Sequence, residues 1–183
     1  ETEPEGHTNY VSALVTFVDP ATGALRVATG SSDKPIRVWD AETGSGLLVI
    51  DVGSFLKALA FFVDPATGAQ RLACGCYKDN KVRIFDPVAG GEALLVIEGR
   101  CHASALAFFA DPATGKPRLA CGSDGGKVRV FDPVAGGEAL VVISVGFDVN
   151  ALAFFTDPAT SAPRLACGCH DYDVRIFDPV AGG

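Results

Sequence analysis

Val82-Arg83-Ile84-Phe85-Asp86-Pro87-Val88-Ala89-Gly90-Gly91 returns almost letter for letter at 128–137 and again at 174–183, and its core is already present as Arg37-Val38-Trp39-Asp40. The aromatic-Asp pairs beginning at Trp39, Phe85, Phe131 and Phe177 are 46 residues apart each time. A second element, Asp-Pro-Ala-Thr, opens at Asp19, Asp64, Asp111 and Asp157, at spacings of 45, 47 and 46. Self-similarity at this period is the mark of a repeat architecture. The chain divides into units at about 7–50, 51–97, 98–143 and 144–183, read as one segment over 1–183.

Turn chemistry separates short apolar strands inside each unit. In the second, Ala58 to Val63 is an apolar run that Asp64-Pro65-Ala66-Thr67-Gly68 interrupts, Pro presetting a turn dihedral and Gly leaving it. Arg71 to Cys76, Val82 to Phe85 and Ala93 to Ile97 follow as further strands, and no segment carries a helical period. The expected fold is all-β. Strands apolar on both faces need cover on both, which radially stacked blades of four antiparallel strands supply and an open sheet does not. The fourth unit stops at Gly183, before the outer strand that units two and three contain, so it is expected to lack that strand. A complete ring from these units alone is not expected; further repeats, or two copies closing eight blades, would cover the ends.

Gly6-His7, Ala28-Thr29-Gly30-Ser31, Asp33 and Trp39-Asp40 make the first unit resemble a WD repeat, whose signature pairs Gly-His with Trp-Asp. The resemblance implies a β-propeller and a relay of His7, Thr29 or Ser31, Asp33 and Trp39. It extends more loosely to the other units. Trp becomes Phe at 85, 131 and 177, a His remains only at His102, and the relay Asp survives as Asp79 and Asp171 but is Gly125 in the third unit. Packing is expected to replace the relay there.

Composition narrows function. Net charge is -7, which gives no electrostatic footprint for nucleic acid or an anionic membrane, and no apolar run approaches a membrane span. No Met occurs, even at position 1, so the sequence reads as a processed form or a portion of something longer, with a removed targeting segment left open. Cys74, Cys121 and Cys167 share one repeat position and Cys76 and Cys169 another, as small apolar strand residues would. Reduced thiols and a cytoplasmic location follow. Cys-Gly-Cys at 74–76 and 167–169 could also suggest a metal, but no second pair completes a ligand set, and neither metal nor cofactor is expected. The Asp-Pro-Ala-Thr turns read as hairpin geometry before calcium sites, and the row Arg37, Arg83, Arg129 and Arg175 as solvated or carbonyl-capping before phosphate-binding. No nucleophile elbow, phosphate loop or metal spacing points to an enzyme.

Loop variation is the remaining signal. Turns after the first and third strands are nearly constant, whereas the second-to-third-strand loops and the interblade linkers share almost nothing. Both variable sets emerge at one end of an antiparallel blade. Tyr10, Lys34, Phe55, Lys57, Tyr77 and Lys78 lie there, as do Arg100, His102, Phe147, Asp148, His170 and Tyr172. Aromatics and Arg are typical interface anchors, so that end is expected to bind a protein in a non-enzymatic recognition or scaffolding role. The alternative is a structural subunit whose blades close or stack with other copies, as a homo-oligomer or within a larger repeat array.

Overall fold

The alternation of apolar runs with Asp-Pro and Gly turns yields fifteen strands in four antiparallel sheets in the computed structural model, which describes residues 6–182 apart from 78, 100 and 101. Blade 1 holds β1 (Val11–Val18), β2 (Leu25–Ser31), β3 (Pro35–Asp40) and β4 (Gly46–Asp51). Blade 2 holds β5 (Leu56–Val63), β6 (Gln70–Cys76), β7 (Lys81–Phe85) and β8 (Leu95–Glu98). Blade 3 holds β9 (Ala103–Ala110), β10 (Pro117–Ser123), β11 (Lys127–Phe131) and β12 (Val141–Ser144). In blade 4 the described strands are β13 (Val149–Thr156), β14 (Pro163–Cys169) and β15 (Val174–Phe177). Strand order within every sheet follows the chain, and the first strands β1, β5, β9 and β13 pack on one another in sequence. The arrangement is a four-blade propeller whose last blade has three strands.

The turns form as their residues dictate. Asp19 accepts from the Ala21 N–H at 2.9 Å through its side chain and from the Gly23 N–H at 2.8 Å through its carbonyl, and Asp64, Asp111 and Asp157 repeat the side-chain bond. Strand bounds in blade 2 differ from expectation by one or two residues: β5 starts at Leu56 rather than Ala58, β6 and β7 start one residue early, and β8 starts at Leu95 rather than Ala93. Gly90 and Gly91 both hold positive φ, so the chain needs two more residues to return to the ladder, and the Leu94 N–H bonds Ile84 O just before it does.

The apolar core lies in the seams between blades. Phe17, Ile36, Val38 and Ile50 of blade 1 bury against Leu56, Leu59, Leu72 and Phe85 of blade 2, and seams 2–3 and 3–4 repeat the pattern with equivalent residues. A stacked phenylalanine pair bridges each seam: Phe17–Phe61 at 5.2 Å, Phe62–Phe108 at 4.8 Å and Phe109–Phe154 at 4.6 Å. Such pairs contribute about 0.5–1.5 kcal/mol beyond burial. A glycine in the second strand lets the next blade approach: a Cβ on Gly75 would sit 2.5 Å from that of Ala103, and one on Gly122 2.6 Å from Val149 Cγ1. Blades 1 and 4 do not cover each other. Leu14 is 65% exposed on one end face, and Val174 and Ile176 are 71% and 57% exposed on the other, although their equivalents Val82 and Ile84 are buried.

Candidate functional site: the variable end of the blades

In each antiparallel blade the second-to-third-strand loop and the linker entering the first strand meet at one end. Backbone bonds pin them together where the Ser32 N–H donates to Tyr10 O, Tyr77 N–H to Phe55 O and His170 N–H to Asp148 O, at 2.8–3.0 Å. The register makes Tyr10, Phe55, His102 and Asp148 equivalent. His102 thus occupies an interblade-linker position and is no counterpart of His7. Tyr10, Phe55, Phe147, His170 and Tyr172 are exposed there, and Asp148 is half-buried. Lys78 and Arg100 lie outside the described residues.

Among the described residues three cations lie over aromatic rings at this end. Lys34 Nζ is 5.8 Å from the Phe55 centroid, Lys57 Nζ is 5.5 Å from that of Tyr77, and the Arg175 guanidinium is 5.2 Å from that of Phe147. Arg175 is also gripped by Asp171, at 2.5 and 3.0 Å. Arg83 bonds Asp79 through one guanidinium nitrogen. The second and fourth members of the arginine row, expected to be solvated or to cap carbonyls, therefore bind loop carboxylates. Their loops are braced by the Asp residues that the first unit uses in its relay.

The relay of blade 1 runs through Thr29. Trp39 Nε1–H donates to Thr29 Oγ1 at 2.8 Å, Thr29 Oγ1 lies 2.7 Å from His7 Nε2, and His7 Nδ1 is 2.9 Å from Asp33. This network assigns the proton on His7 to Nδ1, with the Thr29 hydroxyl donating to Nε2. Ser31, named with Thr29 as a candidate, takes another role: its hydroxyl donates to Asn9 O at 3.2 Å and accepts from the Asp33 N–H at 3.1 Å. Burial pushes the Asp33 carboxyl up, but bonds from the Thr8 N–H and His7 outweigh it and hold the group below its ordinary range. The register then couples the Trp-to-Phe changes to a second substitution. Thr29 is replaced by Cys74, Cys121 and Cys167 in the three blades that carry Phe for Trp39.

The five described cysteines are buried thiols that form no disulfide with one another. Hydrogen bonding with Cys76, then burial, raises the Cys74 thiol well above its usual value, and burial pushes Cys167 up to about 11. Cys76 moves down, first through its bond with Cys74, yet stays sealed in the seam. Among the described residues no three His, Cys, Asp or Glu side chains converge as a metal site would require, and no helix is long and apolar enough to cross a membrane.

The opposite end is uniform. Each blade places its Asp-Pro-Ala-Thr turn and a second Asp turn there, and the arginine row Arg26, Arg118 and Arg164 pairs with those carboxylates. That pairing was missed in the sequence because only the register brings Arg26 beside Asp40. A broad hollow of about 420 Å³ opens at this end, lined by Asp64, Pro65, Thr114, Lys116, Asp132 and Val134 among others. Apart from Lys116 and Pro117, its walls are turn residues common to the blades.

No protein-family model and no curated protein matches the chain. Solved structures do. The computationally designed Ika4 protein is 26% identical, with TM-score 0.69, over 95% of this chain and 94% of its own. The designed Ika8 protein is also 26% identical at TM-score 0.69, and Saccharomyces cerevisiae Sqt1 is 18% identical at TM-score 0.75. Each of these two aligns with 97% of this chain, which spans 48% of their own lengths. The likeness is one of propeller fold.

Proposed function

We propose that this chain is a WD-repeat-like propeller segment that binds another protein through its variable end, with no chemistry of its own. The observation that carries the reading is a backbone position at the tip of the second-to-third-strand loop. All four blades hold it at positive φ, yet only blade 3 uses glycine, Gly126; the others place Lys34 (φ 90), Asn80 (φ 57) and Tyr172 (φ 71) there. Asparagine adopts that conformation readily, but for Lys34 and Tyr172 it costs about 1 kcal/mol. At the uniform end the positive-φ turn positions are glycine in all but one case, Ser161. Strain is accepted selectively where side chains are displayed, which supports recognition over drift.

The support beneath those side chains is rigid, because the loops are pinned by backbone bonds and braced by the Arg83–Asp79 and Arg175–Asp171 pairs. Buried thiols that form no disulfide with one another support a reducing, cytoplasmic setting. Changing Phe55, Tyr77, Phe147 and Tyr172 together to Ser is expected to abolish affinity capture of the partner while leaving the circular dichroism spectrum intact. Equal loss on changing Thr67 and Thr114 at the uniform end would overturn the reading. A second reading, a structural subunit closing with other copies, draws on the exposed apolar end faces bearing Leu14, Val174 and Ile176.

A further inference from the structure

Seams 1–2 and 3–4 are tied at the variable end by a serine. Ser12 Oγ lies 3.2 Å from Gly30 O and donates to Leu56 O at 2.6 Å; Ser104 Oγ lies 3.1 Å from Gly122 O and donates to Val149 O at 2.6 Å. The equivalent position in blade 2 is Lys57, which cannot fold back as a short hydroxyl does and lies instead over Tyr77. Seam 2–3 opens there into a notch of about 80 Å³ lined by Lys57, Tyr77, His102, Ala103, Ser104 and Asp124.

Two groups in this notch await a ligand. His102 Nδ1 is buried with no hydrogen-bond partner among the described residues. Lys57 forms no ion pair among them either, and neither does Asp124, although both line the same notch. A buried polar atom without a partner is costly, and filling it is correspondingly rewarding. The volume is far below the roughly 300–1,000 Å³ of a small-molecule pocket and suits the end of one side chain.

Resting on the protein-binding reading above, we infer that the notch receives the carboxylate of an Asp or Glu in an acidic, extended segment of the partner. One carboxylate oxygen accepts from Lys57 Nζ; the other accepts from His102 Nδ1–H, in the tautomer protonated at that nitrogen, once the ring turns to open this buried atom to the notch. Lys34, over Phe55 at the neighbouring seam 1–2 and likewise outside any ion pair among the described residues, offers a second cation to a second carboxylate. Arg175 is already committed to Asp171 and Asp173, so the receptive strip lies over blades 1 to 3. Asp124 cancels much of the field in the notch, so selection rests on directed bonds and not on bulk attraction.

The test is fluorescence anisotropy of the full chain with a labelled short peptide alternating Glu and Ser, against the same peptide with Gln or Lys for Glu. Because the chain carries net charge -7, general electrostatics oppose the acidic peptide, which makes its binding diagnostic. The Glu peptide is expected to bind and the other two to bind at least several-fold more weakly. Lys57→Gln should weaken the Glu peptide on the order of tenfold and His102→Phe several-fold, Lys57→Arg should largely retain it, and Asp124→Asn should tighten it. Arg164→Gln at the uniform end should change nothing. No binding of the Glu peptide, equal binding of the Gln peptide, or full binding by a folded Lys57→Gln variant would overturn the inference. If the peptide fails while the fourfold aromatic variant still loses its captured partner, only the acidic chemistry falls. If both fail, the variable end itself is not the binding surface.

Discussion

Trp39 and Thr29 make a hydrogen bond in blade 1 that the other blades have lost from both sides at once, Phe standing for the donor and Cys for the acceptor. Removing both partners of a buried bond is nearly neutral, whereas removing one strands the other at about 1–3 kcal/mol. Trp39→Phe is therefore expected to cost about 1–2 kcal/mol, and adding Thr29→Cys, which recreates the pairing of blades 2 to 4, should recover part of it. Chemical denaturation of the single and double variants measures this; an unchanged midpoint for Trp39→Phe would mean that the relay contributes nothing. The Trp-to-Phe changes were legible in the sequence at a fixed spacing. Their Thr-to-Cys counterparts stand at the spacing of the Asp-Pro-Ala-Thr turns, but that the two changes belong together was not legible, because only the register brings Thr29 to Trp39. Lys57 and His102 were legible as variable-loop residues, but the notch they share exists only once blades 2 and 3 are docked.

At the scale of strands and turns, punctuation carried most of the information. Asp-Pro-Ala-Thr-Gly and Asp-Pro-Val-Ala-Gly-Gly fix where strands stop, and those ends match the sequence reading within a residue or two. The start of β8 was misplaced because the paired positive-φ glycines at 90 and 91 delay re-entry into the sheet, a geometric effect that apolar content at Ala93 and Leu94 conceals. The fourth Asp-Pro-Ala-Thr turn ends in Ser161 at φ 57, where Gly23, Gly68 and Gly115 hold φ near 70. Ser161→Gly should relieve that strain and raise stability by about 0.5–1 kcal/mol, less the extra chain entropy of glycine. The same change at Tyr172 should also stabilise the fold but weaken partner capture. Thermal melts of both variants, with capture measured alongside, separate a strained turn from a strained display position.

Across the whole molecule, each seam is made by the same repeat positions, and the faces at the two ends carry the same kind of residue without a neighbour. Phe155 stands where Phe17, Phe62 and Phe109 each stack on the following blade, and a Cβ on Gly168 would meet only Ala151, at 3.5 Å. The trailing face of blade 4 is thus shaped for a leading face such as that of blade 1, and two copies joined twice in this manner would close eight blades. Light scattering after size exclusion is expected to give a mass near twice that of the 18.9 kDa chain, returning to the single-chain value on changing Val174 and Ile176 to Lys. A monodisperse monomer of the unaltered chain would sink the idea.

Seams written by equivalent positions also make blade number a heritable variable that can change in one step. Duplicating or excising a stretch of one period between linkers would bring Phe17 opposite Phe108, or set a new copy of Phe62 against an old Phe61, with the glycine clearances matched in either case. Unequal recombination between such repeats would yield longer or shorter arcs whose internal surfaces already fit, while each new tip loop becomes free to diverge.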